Sequence, residues 1–243
     1  MSRTVSGTTL DVTYSELLAG SPSTSDFAAT LNGSADAIDG VSIVSGNIVR
    51  LTLHDAAHHL DSVVVTYSGA SVTDLAGNGA ATYGGTSATD LTPNQSPTAP
   101  TLASPNDGVF INSVTPTLSA SFADPDTLDF GKLTFEVCAD GSCSTSLGTF
   151  DSTATNLNVG QSGSAAVPVG FNLQTATQYW WRAKSVDSSN ANSSFSSTRT
   201  FTVDTTPPAV SASASVFVAP FHSQQLYLRL GPRTCPKNSA GSS

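Results

Sequence analysis

An all-β fold of two tandem antiparallel β-sandwiches, ending in an irregular C-terminal tail, is what this 243-residue sequence predicts. Helix formers are scarce: two Glu, three Lys and one Met stand against many Thr, Val and aromatic residues. Alternation with period two recurs in TTLDVTY (8–14), NIVRLTL (47–53), SVVVTYS (62–68), LTFEVCA (133–139) and TRTFTVD (198–204). Small polar and Gly-containing turns separate these runs, and no long amphipathic stretch intervenes, so βαβ units are excluded.

The first strands come from the faces they offer. Leu10, Val12 and Tyr14 share one face, as do Val49, Leu51 and Leu53, and again Val63, Val65 and Tyr67. One segment is ambiguous. In SDFAATLNG (25–33), Phe27 and Leu31 lie four apart as on a helix, yet a short strand reads nearly as well. Asp74, Gly77 and Asn78 suit a turn, because Gly and Asn accept positive φ and Asp caps nearby backbone.

A joint then divides the chain. TPNQSPTAPTLASP (92–105) holds four prolines in 14 residues, a stiff connector with few ladder donors. The expected organisation is a sandwich over 1–92, a linker over 93–101, a second sandwich over 102–204 and a tail over 205–243. In the second unit, alternation from Tyr179 sends Tyr179, Trp181 and Ala183 inward and Trp180, Arg182 and Lys184 outward. The tail breaks the pattern. It has no Asp or Glu but carries Arg229, Arg233 and Lys237, whereas residues 1–204 hold six basic residues against 18 acidic ones, a net −12. It also has the odd cysteine, Cys235. Phe217, Phe221, Leu226 and Leu228 are therefore expected to belong to neither core, and the tail to be disordered or non-native sequence.

Composition narrows the partners. Only 11% of residues are charged, the net charge is −9, and 38 Ser with 31 Thr make more than a quarter of the chain small hydroxyl residues. An acidic surface repels phosphate backbones, so nucleic acid is not an expected partner. No apolar run is long enough to span a bilayer, and MSRTVSGTTL shows no signal-peptide core, so an export signal is not expected within this stretch.

Two resemblances follow from longer pieces. VSGTTLDVTYSELL (5–18), SDFAATLNG (25–33), VSGNIVRLTLHDA (44–56), DSVVVTYS (61–68) and VTDLAGNGAA (72–81) resemble, in order and spacing, a bacterial Ig-like repeat of the SwmB type. His54, His58 and His59 depart from it, where such repeats usually carry small residues. TPTLSASFADPD, LTFEVCADGSCSTS, NLQTATQYWWRAKSVDSS (172–189) and FSSTRTFTVDTTPP (195–208) resemble a fibronectin type III domain of bacterial surface proteins. There Leu173 precedes Tyr179 by the spacing of a tyrosine corner. The resemblances imply a non-catalytic structural or adhesive segment, a fragment of a larger repetitive bacterial cell-surface or secreted protein. Its expected partners are neighbouring repeats and an extracellular polymer or another cell surface. An accessory carbohydrate-binding module, with its catalytic domain outside this chain, is the alternative. A compact hydrolase using Asp residues is the third class.

Four groups of residues could carry chemistry. Cys138 and Cys143 bracket Ala139-Asp140-Gly141-Ser142 and are expected to face each other across a hairpin as a disulfide, which implies an oxidising, extracytoplasmic setting. Closing so short a loop stabilises by about 2 kcal/mol. Asp124, Asp126 and Asp129 in FADPDTLDFGKL resemble acidic turns that hold calcium in some extracellular modules, which makes calcium the candidate cofactor. Trp180 and Arg182 are a candidate ligand-binding pair, an exposed ring able to stack on sugar. His54 and His58 have zinc-like i, i+4 spacing, but the segment joins two strands, so both cannot share a helix face. No catalytic residues are expected: GQSGS (160–164) lacks nucleophile-elbow spacing and no phosphate-cradling loop occurs.

Overall fold

The computed structural model describes residues 1–209, and every described strand belongs to an all-β architecture with two short 3-10 turns. The chain separates into Met1–Thr206 and Pro207–Ser243. Of the latter only 207–209 are described, exposed and without regular structure. The expectations for Phe217, Phe221, Leu226, Leu228 and Cys235 fall outside the described residues.

In the first sandwich one sheet runs Thr89–Asp90, Ser2–Thr13, Ile48–Ala57, Ile38–Ser45, and the other Ser34–Asp36, Phe27–Leu31, Val63–Tyr67, Tyr83–Ser87. The alternation fixes the register. Leu10 sits opposite Leu51 and Val12 opposite Val49 in one sheet, Ala29 opposite Val65 in the other. All nine residues assigned inward from the sequence are buried. The ambiguous segment is a strand after a three-residue 3-10 turn, Thr24–Asp26, capped by the Ser23 side chain. Asn32 and Gly33, at φ 52° and 83°, then reverse the chain into Ser34–Asp36, a two-residue hairpin turn that a helix through Leu31 could not make. The expected Asp74 turn is present, its carboxylate accepting from the backbone N–H of Ala76 and Asn78.

The second sandwich packs Thr101–Ser104, Thr117–Ser121 and Ser162–Ala166 against a larger sheet. That sheet is ordered Val109–Ile111, Arg199–Val203, Thr177–Asp187, Phe130–Cys138, Ser146–Asp151, with Leu157–Asn158 also on the fourth strand. Tyr179, Trp181 and Ala183 are buried while Trp180, Arg182 and Lys184 are half-buried on the opposite face, so the inward and outward sets follow the alternation. The Tyr179 hydroxyl accepts from the Gln174 backbone N–H at 2.8 Å, and Leu173 is buried beneath it. This bond is the tyrosine corner, which pins the chain entering the sheet.

Each sandwich has its own hydrophobic cluster, one drawn from Val5–Val72 and the other from Leu102–Val203. Between them runs the Pro-rich segment, without strand pairing from Leu91 to Pro100.

Candidate functional site

At the Cys hairpin the structure joins Cys138 to Cys143, with Cα atoms 5.1 Å apart. The register differs from the sequence expectation. Cys138 pairs across the ladder with Ser146, after a register shift, and Cys143 lies inside the loop at φ 55°. Asp140 explains why the loop is longer. Its carboxylate accepts from the backbone N–H of Ser142, Ser144 and Thr145 and from both serine hydroxyls, a local scaffold that replaces ladder bonds. Hydrogen bonds, the Ser142 hydroxyl first, hold the Asp140 carboxyl well below the usual carboxylate range. A folded-state pKa below the unfolded one gives stability that is present above about pH 4 and lost as pH falls through the folded value. Asp140→Asn should therefore lower the melting temperature at pH 7, with the gap to wild type shrinking below about pH 4. Melts at several pH values check this; a gap independent of pH would contradict it.

Trp180 lies opposite Cys138 in the sheet. A Cβ added at Gly141 would come 3.2 Å from the indole Nε1, so the disulfide loop lies against one edge of the ring. Arg182 donates from Nε to Glu136 Oε2 at 2.6 Å, and its guanidinium stacks 4.2 Å from the centroid of the Phe195 ring. Trp180 and Arg182 thus share an outward face, on which Arg182 already has an anion and an aromatic partner.

The three histidines do not converge. His54 faces Asp39 at 3.1 Å, whose hydrogen bond raises the imidazole pKa. His59 Nδ1 is 3.3 Å from the Thr92 carbonyl. His58 instead reaches the second sandwich, its Nδ1 3.6 Å from Asp126 Oδ1.

That contact leads to the most unusual polar site of the described residues. Asp124, Asp126 and Asp129 lie in the loop between Thr117–Ser121 and Phe130–Cys138, and all three are buried, at 7%, 0% and 0% exposure. One carboxylate oxygen from each lies within 4.8 Å of the other two. Asp187, at the end of Thr177–Asp187, is a fourth buried carboxylate. The loop folds on itself: Asp124 Oδ1 accepts from the Asp126 N–H at 2.8 Å, and Asp129 Oδ1 from the Phe130 N–H and the Ser188 hydroxyl. The linker closes it. Gln95 donates its backbone N–H to Asp126 Oδ2 at 2.7 Å, and Asn94 donates Nδ2 to Asp187 Oδ2 at 2.9 Å. Burial first, then the carboxylates of Asp129, Asp126 and Asp187, push the Asp124 carboxyl up to about 6, against the stabilising N–H of Asp126. Three oxygens here are buried without a hydrogen-bond partner: Asp124 Oδ2, Asp129 Oδ2 and Asn94 Oδ1.

Sequence reasoning reached the three aspartates but not Asn94 or Asp187, and it singled out His58 as a candidate zinc ligand and not as a neighbour of Asp126. Strand pairing with Gly131 brings Asp187 beside the loop, the linker brings Asn94, and no local pattern announces either.

Residues 1–72 match the family described as "Putative flagellar system-associated repeat" (SWM repeat). No curated protein matches the chain. Solved structures that resemble it include fibronectin(III)-like modules of Clostridium thermocellum CbhA, 10% identical over 84% of this chain and 90% of that one, TM-score 0.31. The N-terminal part of the bacterial S-layer protein SbsC is 14% identical over 84% of this chain and 43% of that one, TM-score 0.31. An α-L-rhamnosidase from Dictyoglumus thermophilum is 15% identical over 46% of this chain, TM-score 0.33, and the match spans 12% of that enzyme's length. Likeness this distant assigns no function. The family match is confined to the first sandwich, and it identifies that part of the chain as similar to a flagellar system-associated repeat.

Proposed function

We propose that this chain is a non-catalytic structural or adhesive segment of a repetitive bacterial cell-surface or secreted protein, its sandwiches acting as spacers beside neighbouring repeats. The observation that carries this reading is the tandem arrangement: two closed hydrophobic cores in series, joined by a Pro-rich connector. Such modules set distance without needing a pocket. The match of residues 1–72 to a flagellar system-associated repeat and the Cys138–Cys143 bridge support an extracytoplasmic setting. Polymer binding is the second reading, supported by Trp180 on the outward face of Thr177–Asp187.

Labelling intact cells of the producing bacterium with an antibody to residues 1–206 tests the first reading. Label on unbroken cells or in the medium is expected; label only after lysis would overturn it. Glycan-array binding that disappears in Trp180→Ala would favour the second.

A further inference from the structure

The three orphan oxygens of the acidic loop share one physical problem. A buried carboxylate oxygen with no donor carries an uncompensated desolvation cost, and several carboxylates packed together repel one another. Among the described residues no Lys or Arg forms an ion pair with Asp124, Asp126, Asp129 or Asp187, and the one basic side chain within 4 Å of their carboxylates is His58, beside Asp126. Backbone N–H groups serve Asp124 Oδ1, Asp126 Oδ2 and Asp129 Oδ1, and none reaches Asp124 Oδ2 or Asp129 Oδ2.

We propose that Asp124, Asp126 and Asp129, joined by the side-chain carbonyl of Asn94, bind a calcium ion that fastens the linker to the second sandwich. The donor set is entirely oxygen, which suits a hard cation and not zinc. Calcium–oxygen distances of about 2.3–2.6 Å place opposed ligands about 4.6–5.2 Å apart. One oxygen from each of the three carboxylates falls within 4.8 Å of the others, a spread compatible with three ligands around one calcium ion. Magnesium demands about 2.0–2.1 Å and strict octahedral geometry, which this spread satisfies less well.

Asn94 gives the ion its structural effect. Its nitrogen is committed to Asp187 at 2.9 Å, and its Oδ1 is a buried atom with no hydrogen-bond partner, free to accept a cation. The next residue, Gln95, is bonded to Asp126 through its backbone. Calcium would therefore hold the linker at two successive residues and restrict how the first sandwich moves against the second. This goes beyond the spacer reading and is measured on purified protein, wherever the chain resides.

The test is calorimetric titration of the purified 243-residue chain, stripped with chelator, with calcium chloride and separately with magnesium chloride. One site is expected, with Kd in the range of about 10⁻⁴–10⁻³ M seen for extracellular modules, and at least tenfold weaker magnesium binding. At about tenfold excess over Kd, the second sandwich should melt roughly 5–10 °C higher. Asn94→Ala should weaken calcium several-fold; it also removes the donor to the buried Asp187 carboxylate, so its calcium affinity, not its metal-free melt, is the readout, and Asp129→Asn should abolish the response. No binding by the wild-type chain at 10 mM calcium, as if the carboxylates shared a proton instead, would overturn the proposal whether or not the variants fold. Calcium binding unaffected by Asn94→Ala would overturn the linker's part in it.

Discussion

Trp181→Ala is expected to destabilise the second sandwich by about 3–5 kcal/mol, the cost of emptying the site of a large buried aromatic. Trp181 is fully buried, the largest such side chain, opposite Val137 and with its ring 6.3 Å from that of Phe135. Against a total stability of about 5–15 kcal/mol, this loss approaches unfolding at ordinary temperature. Trp181→Phe should cost clearly less. It keeps an aromatic surface in place and removes an indole N–H that is buried without a partner. Denaturant unfolding followed for both sandwiches checks this, and the first sandwich should not respond, since its core shares no residue with Trp181. Equal losses from Ala and Phe would contradict this, because the aromatic surface that Phe retains would then contribute nothing.

Gly131→Ala is expected to be nearly as damaging, at about 3 kcal/mol or more. A Cβ there would lie 2.1 Å from the Val186 carbonyl oxygen, 2.8 Å from Phe122 Cε2 and 2.9 Å from the Asp187 Cα. Two of these atoms are backbone, so relief requires separating Phe130–Cys138 from Thr177–Asp187, between which Gly131 pairs with Asp187. The same displacement shifts Asp129 and Asp187, so any calcium response should weaken with it. Gly84→Ala is the control: nothing lies within 4 Å of its added Cβ, and the change should stay within about 0.5 kcal/mol. Similar melts for the two variants would show that Gly131 is less crowded than its surroundings indicate.

Much of this architecture is legible in the sequence because it depends on period two. Leu10, Val12 and Tyr14, or Tyr179, Trp181 and Ala183, alternate regularly, and one residue of slip would expose each set. The tyrosine corner is legible for the same reason: Leu173 and Tyr179 are close in sequence and their contact is local. Phe27–Leu31 is less so, since one apolar pair serves helix and strand alike; the Asn32-Gly33 turn decides it. The Cys pair is legible as a pair but not in register, because Asp140 organises the loop through side-chain bonds that alternation does not encode.

The acidic loop shows where local reading stops. FADPDTLDF names three carboxylates, but neither their burial nor their company follows from spacing. Asn94 meets Asp187, and His58 meets Asp126, only because the linker folds back on the second sandwich. Gly131 is similar. Its need for small size comes from a crowded strand crossing that is visible only in space.

The central claim is that the chain is two autonomous sandwiches in series, and calorimetry of residues 1–93, residues 94–206 and the whole chain in chelator tests it most directly. The account predicts that each piece unfolds in one cooperative transition, within about 3 °C of its counterpart in the whole chain, because each cluster of core residues closes on itself. A piece that shows no cooperative transition would contradict it.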